Sequence, residues 1–179
     1  AHVPRGNRME QFLQSLNRDV SADDSQILAS LALADLQDYI SLVYDNNFSL
    51  IRYAEHLASS TAKFSDAEKG LLSPALEDFY KPLILEKIMP YKNEPALIGI
   101  SVPFPGCFEA ALYTAKIIRQ ENFKNCLIAF GGGYVNTELR EIEEQKIFDY
   151  CDFLSYDKGY GSFIELFDLI AKSAAILLK

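Results

Sequence analysis

The stretch from Pro95 to Gly161 constrains the fold most, because it holds two apolar runs that each end in a turn rich in glycine or proline. The runs 97–102 and 126–130 are short, continuously hydrophobic and rich in branched residues, which is typical of strands buried on both faces of a parallel sheet. A third unit at 152–161 repeats the order of strand and glycine-containing loop. Since parallel strands end at the same edge of a sheet, we expect the three loops to converge there.

Strands and helices alternate beyond residue 94, which predicts right-handed βαβ units with helices covering a parallel sheet. We expect helices over 107–120, 137–145 and from 162 to 170 or further. About three strands make half of a usual doubly wound domain. The predicted fold class is therefore α/β, with a partial parallel sheet preceded by an all-helical segment.

The first half of the chain is predicted to be helical. Ser21 is a typical N-cap, and the acidic residues Asp23 and Asp24 follow in the first turn. Apolar residues then recur at helical spacing until about 45–47. The centre of this helix is rich in alanine and leucine, which predicts deep burial.

Further helical pieces are expected before the sheet. They are an amphipathic segment at 48–57, a helix opened by a capping box at Ser65–Glu68, and a piece at 83–89, with Pro74 and Pro82 expected to break or kink the chain between them. The polar link 91–95 then gives the predicted boundary. It separates a helical segment, 1–94, from a βαβαβα region, 95–179.

Charge and hydropathy narrow the classes of partner. The net charge is −8 and the basic residues are scattered, whereas binding to nucleic acid needs clustered lysine and arginine. No run approaches the roughly 18 apolar residues of a membrane span, and the amino terminus lacks the apolar core of a secretion signal. We therefore expect a cytoplasmic protein that binds neither nucleic acid nor membrane.

The residues that usually carry catalysis are scarce. The two histidines are His2, near the terminus, and His56, in a predicted helix, so no Ser-His-Asp or Cys-His arrangement can be assigned. Cys107, Cys126 and Cys151 fit neither a disulfide framework nor a compact metal motif and are expected to be reduced thiols. The sequence thus predicts no catalytic residue and no metal site.

The run Gly131-Gly132-Gly133 follows the second strand and precedes a helix expected to be capped by Asn136 or Thr137. Residues without Cβ allow a ligand to approach the backbone, but they also suit a tight turn for steric reasons alone. The pattern matches neither the dinucleotide motif G-x-G-x-x-G nor a phosphate-binding P-loop. Ligand contact is the favoured interpretation, without hydride transfer or nucleotide hydrolysis.

Two other loops are candidates for the same edge. Pro103 and Pro105 make the first loop stiff, so that Phe104 is held either for stacking on a flat ligand or as a plug in the core. In the third loop, Asp157 could accept hydrogen bonds and Gly159 could offer its amide, although such sequences are also common turns.

The strings LIGISVPFPG (97–106), FGGGYVNTELR (130–140) and FDYCDFLSYDKG (148–159) together resemble the cobalamin-binding region of bacterial radical S-adenosylmethionine (Fe–S oxidoreductase-like) proteins. The resemblance covers about 95–169 and implies a flavodoxin-like, Rossmann-like domain whose loops hold a corrinoid. It implies the following cofactor-binding residues: Ser101, Pro103, Phe104, Pro105 and Gly106 against the ring face; Gly131, Gly132, Gly133 and Tyr134 along the nucleotide tail or corrin edge; and Asp157 and Gly159 closing the site.

The sequence departs from that family in three ways. The D-x-H-x-x-G loop that supplies a histidine to cobalt is absent, so no axial ligand is implied. The C-x-x-x-C-x-x-C motif is absent too, which leaves S-adenosylmethionine and the [4Fe-4S] cluster to a full-length parent. Helical sequence replaces the opening strands, so strand 97–102 is expected at a sheet edge, paired in a homodimer or covered by the amino-terminal helices.

The leading hypothesis is a fragment that binds cobalamin and positions it for methyl transfer or radical chemistry in the parent, alongside the missing radical domain. The chain alone is not expected to be catalytic. The alternative is a helical interaction module on a truncated α/β scaffold that binds no cofactor. A flavin or nucleotide binder is less favoured, because no Ser/Thr-rich loop for phosphate is present.

Overall fold

The computed structural model describes residues 7–46, Phe48, Leu50 and 64–177. Helices come first and a parallel α/β unit follows. The helices are α1 (Arg8–Ser15), α2 (Ala22–Val43), α3 (Phe64–Gly70), α4 (Lys81–Ile88), α5 (Phe108–Gln120), α6 (Gly133–Thr137) and α7 (Tyr160–Leu177), and the strands are β1 (Ala96–Ser101), β2 (Cys126–Gly131) and β3 (Phe153–Leu154). A π-helical segment, Leu76–Tyr80, leads directly into α4.

The sheet of the described chain has three parallel strands in the order β1-β2-β3. β1 and β2 pair along their whole length, from Ala96 opposite Cys126 to Ser101 opposite Gly131. β3 is short and pairs with β2 through Phe153 and Leu154. The predicted α/β class is confirmed as a partial flavodoxin-like sheet preceded by helices. β1 lies at an edge, as expected.

The core lies between the sheet and α5. This helix buries eight residues, among them Leu112 and Ile117, against strand residues such as Ile128 and Phe130. Burying each such side chain contributes about 1.5–3 kcal/mol. Side chains alternate between the two faces of a strand, so the even-numbered residues of β1, such as Ile98, face α5. The odd positions therefore face the opposite side of the sheet.

The helices α3 and α4 pack against α5. The Phe64 ring lies 6.1 Å from the rings of both Phe108 and Tyr150, and Tyr80 Oη lies 3.3 Å from Thr114 Oγ1. Residues on both sides of the 91–95 link therefore belong to one hydrophobic cluster.

The predicted deep burial of α2 is wrong. Its cap is as expected, because Ser21 and Asp24 form a reciprocal capping box. Asp24 is, however, the only residue of α2 that is buried. The helix packs along α1, where Arg8 binds Asp35 at 3.0 Å, and not in the core against the sheet. An apolar composition shows that a helix has a surface to bury, but not that the described chain covers it.

The predicted helix 137–145 is also wrong. The α-helix begins earlier, at Gly133, ends at Thr137, and is followed by short 3₁₀ turns. Like-charged glutamates three residues apart, such as Glu138 and Glu141, disfavour a continuous helix, and Ile142 is extended. The expected cap is wrong as well, since Gly132 is the N-cap and Asn136 lies inside the helix.

The region 64–91 differs from its prediction in detail. The α-helix α3 includes Ser65, which therefore does not cap it. The Glu68 carboxylate instead accepts hydrogen bonds from Lys146 at 2.7 Å and from Tyr150 at 3.0 Å. Pro82 does not break the chain, because it stands in the first turn of α4 directly after the wider π-helical turn. The predicted segment 48–57 lies largely outside the described residues.

A half-buried carboxylate on α5, Glu109, predicts a pH dependence of stability. Burial, and then the negative charge of Asp45, raise the pKa of Glu109 above its usual value. A raised folded pKa means that the folded state holds the proton more tightly, so stability is lost as pH rises through that pKa. We expect Glu109→Gln to melt at a higher temperature than wild type at pH 7, with the difference disappearing near pH 4 in circular dichroism melts.

The matched control is Glu138→Gln, which changes an exposed carboxylate. It should leave the dependence of melting temperature on pH unchanged. An equal gain in both variants would show that the effect comes from net charge and not from the environment of Glu109.

Candidate functional site

A cleft of about 300 Å³ opens at the carboxyl ends of the three strands. β1 contributes Gly99 and Ser101 to it, β2 contributes Gly131, and the loop after β3 contributes Asp157. The first residues of α7 close one side. The cleft lies where open parallel sheets bind ligands, because strand ends and loops meet there.

The floor of the cleft is the sheet face opposite α5, and it has almost no side chains. Gly99, Ala129 and Gly131 occupy neighbouring positions of β1 and β2 on this face. Phe163 on α7 stands over Gly99, since a Cβ built there would lie 3.7 Å from its Cζ. The flat floor beside this aromatic ring is suited to a thin, planar group.

A second cavity of about 230 Å³ continues beneath α7. Its walls are mainly apolar and include Phe153 and Leu166. The two cavities share Ala129, Ser155 and Phe163, so they form neighbouring compartments of one groove between α7 and the sheet.

The glycine run serves two different purposes. Gly132 has a φ of +105°, and a Cβ there would lie 2.8 Å from the Val102 carbonyl oxygen. A Cβ on Gly133 would lie 2.9 Å from the Pro103 carbonyl oxygen. These two glycines let the loops after β1 and β2 pack closely. Gly131 meets only ordinary contacts and borders the cleft.

Asn136 fastens the third loop to α6. Its side-chain amide donates to the carbonyl of Asp157 at 3.0 Å and accepts a hydrogen bond from the Asp157 amide. Asp157 has a φ of +60°, a conformation that needs such support in a non-glycine residue. Arg140 adds an ion pair to the Asp157 carboxylate and lies 5.2 Å from the Tyr156 ring. The sequence indicated Asn136 only as a cap.

We expect Asn136→Ala to loosen this wall of the cleft. Loss of two partly exposed hydrogen bonds should lower the free energy of unfolding by about 1–2 kcal/mol. Amide exchange at 156–159 should accelerate more than exchange in β2. Glu141→Ala, an exposed change on the same segment, is the control. Equal amide exchange at 156–159 in the two variants would show that Asn136 does not hold the third loop in place.

The remaining predicted residues lie beside the cleft and do not line it. Tyr134 is buried in the core, with its ring 5.4 Å from that of Phe108, and burial raises its pKa. Phe104 is 45% exposed, so it does not plug the core. The 3₁₀ turn Pro105–Cys107 leads from this loop into α5. The predicted residues that line the cleft are Ser101, Gly131, Gly132, Asp157 and Gly159.

Sequence reasoning missed several lining residues. A glycine inside a strand often marks a close approach by a ligand, so Gly99 could have been found from the pattern alone. Ser155 is the first polar residue after β3, which is a weaker indication. Phe163 and Lys158 gave none, because their positions depend on how α7 begins and packs.

The described residues bring few metal-ligating side chains together. No group of three histidine, cysteine, aspartate or glutamate residues within it could hold a metal ion. His2 and His56 both lie outside the described residues. Cys151 is buried, and burial raises its pKa to about 12, which keeps the thiol protonated at neutral pH. None of the helices in the described ranges is long and apolar enough to cross a membrane.

Comparisons with protein-family models, with curated proteins and with solved structures found no match to this chain.

Proposed function

We propose that this chain is the cobalamin-binding-type region of a radical S-adenosylmethionine enzyme. Its own role is binding. It would hold a corrinoid at the carboxyl edge of the sheet, next to the radical domain of a full-length parent. The observation that supports this is the cleft at the ends of all three strands, with a floor made of glycine and alanine.

The size of the cleft decides which part of a corrinoid it fits. About 300 Å³ is the lower end of the range for small-molecule sites. This volume fits the heterocyclic nucleotide tail and not the whole macrocycle. The corrin ring would then extend over the rim, where Phe104 is exposed. The described residues contain no histidine, so the proposal assigns them no cobalt ligand.

When bound, the corrinoid would supply methyl-transfer or radical chemistry in the parent enzyme. The residues of this chain position it and exclude water. Gly99 and Gly131 keep the floor free of side chains, and Phe163 borders it at the Gly99 end. Asn136 and Arg140 keep the Asp157 loop in place as a rigid wall.

A spectral titration of the purified chain with hydroxocobalamin tests the proposal. We expect a saturable change in the absorption spectrum in the micromolar range. Cobinamide, which has the corrin ring but no nucleotide tail, tests whether binding depends on the tail. It should bind more weakly than hydroxocobalamin. Absence of any spectral change at high micromolar ligand would refute cobalamin binding by this chain.

One observation favours a second candidate, an interaction module. Five apolar residues in the second half of α2 are between 48% and 65% exposed: Leu33, Leu36, Tyr39, Leu42 and Val43. Exposed apolar surface on this scale is typical of a protein contact. In the first proposal, this surface would contact the radical domain of the parent. In the second, it would be the main function of the chain.

Replacing Leu36 and Leu42 with glutamate separates the two candidates. If the chain is a cofactor domain, the double variant should still bind hydroxocobalamin with unchanged affinity while binding less of an apolar dye. If the interaction module is its main function, wild type should show no cofactor binding, and only its association should respond to the change.

The edge of β1 supports a homodimer as a further proposed partner. The amide of Ala96 donates to the Asn125 carbonyl just before β2, and the amide of Val102 donates to the Gly131 carbonyl. The alternation between them directs the amides of Leu97, Gly99 and Ser101 outward. No charged residue or internal proline protects this strand from pairing. We expect a dimer in sedimentation experiments, with slow exchange at the Gly99 amide. A monomer with rapid exchange there would contradict it.

A further inference from the structure

Ser155 carries an unsatisfied polar group at the centre of the groove. Its residue is 8% exposed, and its Oγ is the one buried side-chain nitrogen or oxygen of the described chain that has no hydrogen-bond partner. Such an atom is costly to bury and calls for an explanation. The backbone is firmly held, since the Ser155 amide donates to the Phe130 carbonyl at 2.7 Å.

The position of this hydroxyl connects it to the ligand site. Ser155 lines both the cleft and the cavity beneath α7, and it lies at their junction with Ala129 and Phe163. A Cβ on Gly159 would lie 3.5 Å from its Oγ, and a Cβ on Gly131 would lie 3.6 Å from its Cβ. Two missing side chains therefore leave room around this serine.

The surroundings indicate the chemistry of the missing partner. The floor of the cleft beside Ser155 is flat and uncharged, and the lining there includes the aromatic Phe163. The charged residues of the cleft lining, Asp157 and Lys158, stand in the exposed loop, where the Asp157 side chain is paired with Arg140, and Glu165 in the lining of the second cavity is exposed. The cleft beside Ser155 is thus suited to a planar, uncharged group that brings one hydrogen-bonding atom.

We infer that the Ser155 hydroxyl determines specificity by hydrogen bonding a ring nitrogen of a neutral, planar heteroaromatic group that lies on the sheet beside Phe163. This rests on the proposed function, in which that group is the nucleotide-tail heterocycle of the corrinoid. Ser155 is a binding residue, and it takes no part in chemistry.

Benzimidazole and indene test the inference, because they have the same shape and only the first has ring nitrogens. Wild type should bind benzimidazole about 5-fold more tightly than indene, as expected for one hydrogen bond. Ser155→Ala should lose that preference. Its melting temperature without ligand should stay the same or rise, since the change removes an unsatisfied hydroxyl. The control is Ser162→Ala, in the second cavity alone, which should keep the preference.

A second arm separates this inference from the proposed function. Ser155→Ala should weaken cobalamin binding about 5-fold or more and leave cobinamide binding unchanged. The role of Ser155 is refuted, even when cobalamin binds, if Ser155→Ala keeps the preference for benzimidazole. It is also refuted if wild type shows no preference for benzimidazole over indene, or binds neither fragment. If the fragments behave as expected and cobalamin does not bind, the corrinoid proposal fails and the role of Ser155 stands.

Discussion

Replacing Gly132 with valine should lower the free energy of unfolding by about 3 kcal/mol or more, because φ near +105° excludes branched side chains and the new Cβ would collide with the Val102 backbone. For a chain of this size, that loss lowers the melting temperature by about 6–12 °C. Thermal melts followed by circular dichroism measure it directly.

Two other glycines are controls for Gly132. A Cβ on Gly161 meets no atom within 4 Å, so Gly161→Ala in α7 should be neutral or slightly stabilising. Gly131→Ala meets only ordinary contacts and should also fold normally. A Gly132→Val variant that melts like these two would show that the loops after β1 and β2 are not in close contact.

Gly99→Val should fill the cleft while leaving the fold intact. Valine suits a strand, and its Cβ would make an ordinary contact with Phe163 Cζ at 3.7 Å. The two methyl groups beyond that Cβ would press on the Phe163 ring, so the free energy of unfolding should fall by about 1–3 kcal/mol while the fold persists. The branched methyl groups would occupy the space above the floor. We expect cobalamin affinity to fall about 10- to 100-fold, the equivalent of a moderate steric clash. Spectral titration measures the affinity.

The control for Gly99 is Leu97→Val, two positions earlier on the same face of β1 and outside the lining of the cleft. It should bind like wild type. Equal binding by Gly99→Val and Leu97→Val would show that ligand does not enter above Gly99. Because Gly99 is not needed for backbone conformation, it separates binding from folding, which Gly132 cannot do.

The sheet was predictable from the sequence because its evidence is local. β1 and β2 are continuous apolar runs, and each begins and ends within one residue of its expected position. The segment after Gly133 was not predictable in the same way. There, helix propensity competed with repulsion between glutamates and with the bond from Asn136 to the third loop. That bond joins residues 21 positions apart.

The location of the candidate site was predictable, but only part of its lining was. Strand order and glycine content are enough to place loops such as 131–133 at one edge. The role of each glycine depends on its distance from the neighbouring loop, which the sequence does not give. Gly132 and Gly133 lie against the loop after β1, whereas Gly131 has only ordinary contacts. Ser155 and Phe163 depend on the packing of α7. Sequence pattern gives an apolar helix but not the depth of the groove beneath it.

The helices α3 and α4 and the cleft lie on opposite faces of the same sheet. α3 and α4 rest on α5, while the groove runs under α7. Only the strands and α5 stand between them. In the proposed function, where the cleft binds a ligand and the exposed face of α2 contacts a partner, substitutions on the helical side would leave ligand preference largely untouched. Evolution could then exchange one docking partner for another without redesigning the ligand site on the opposite face.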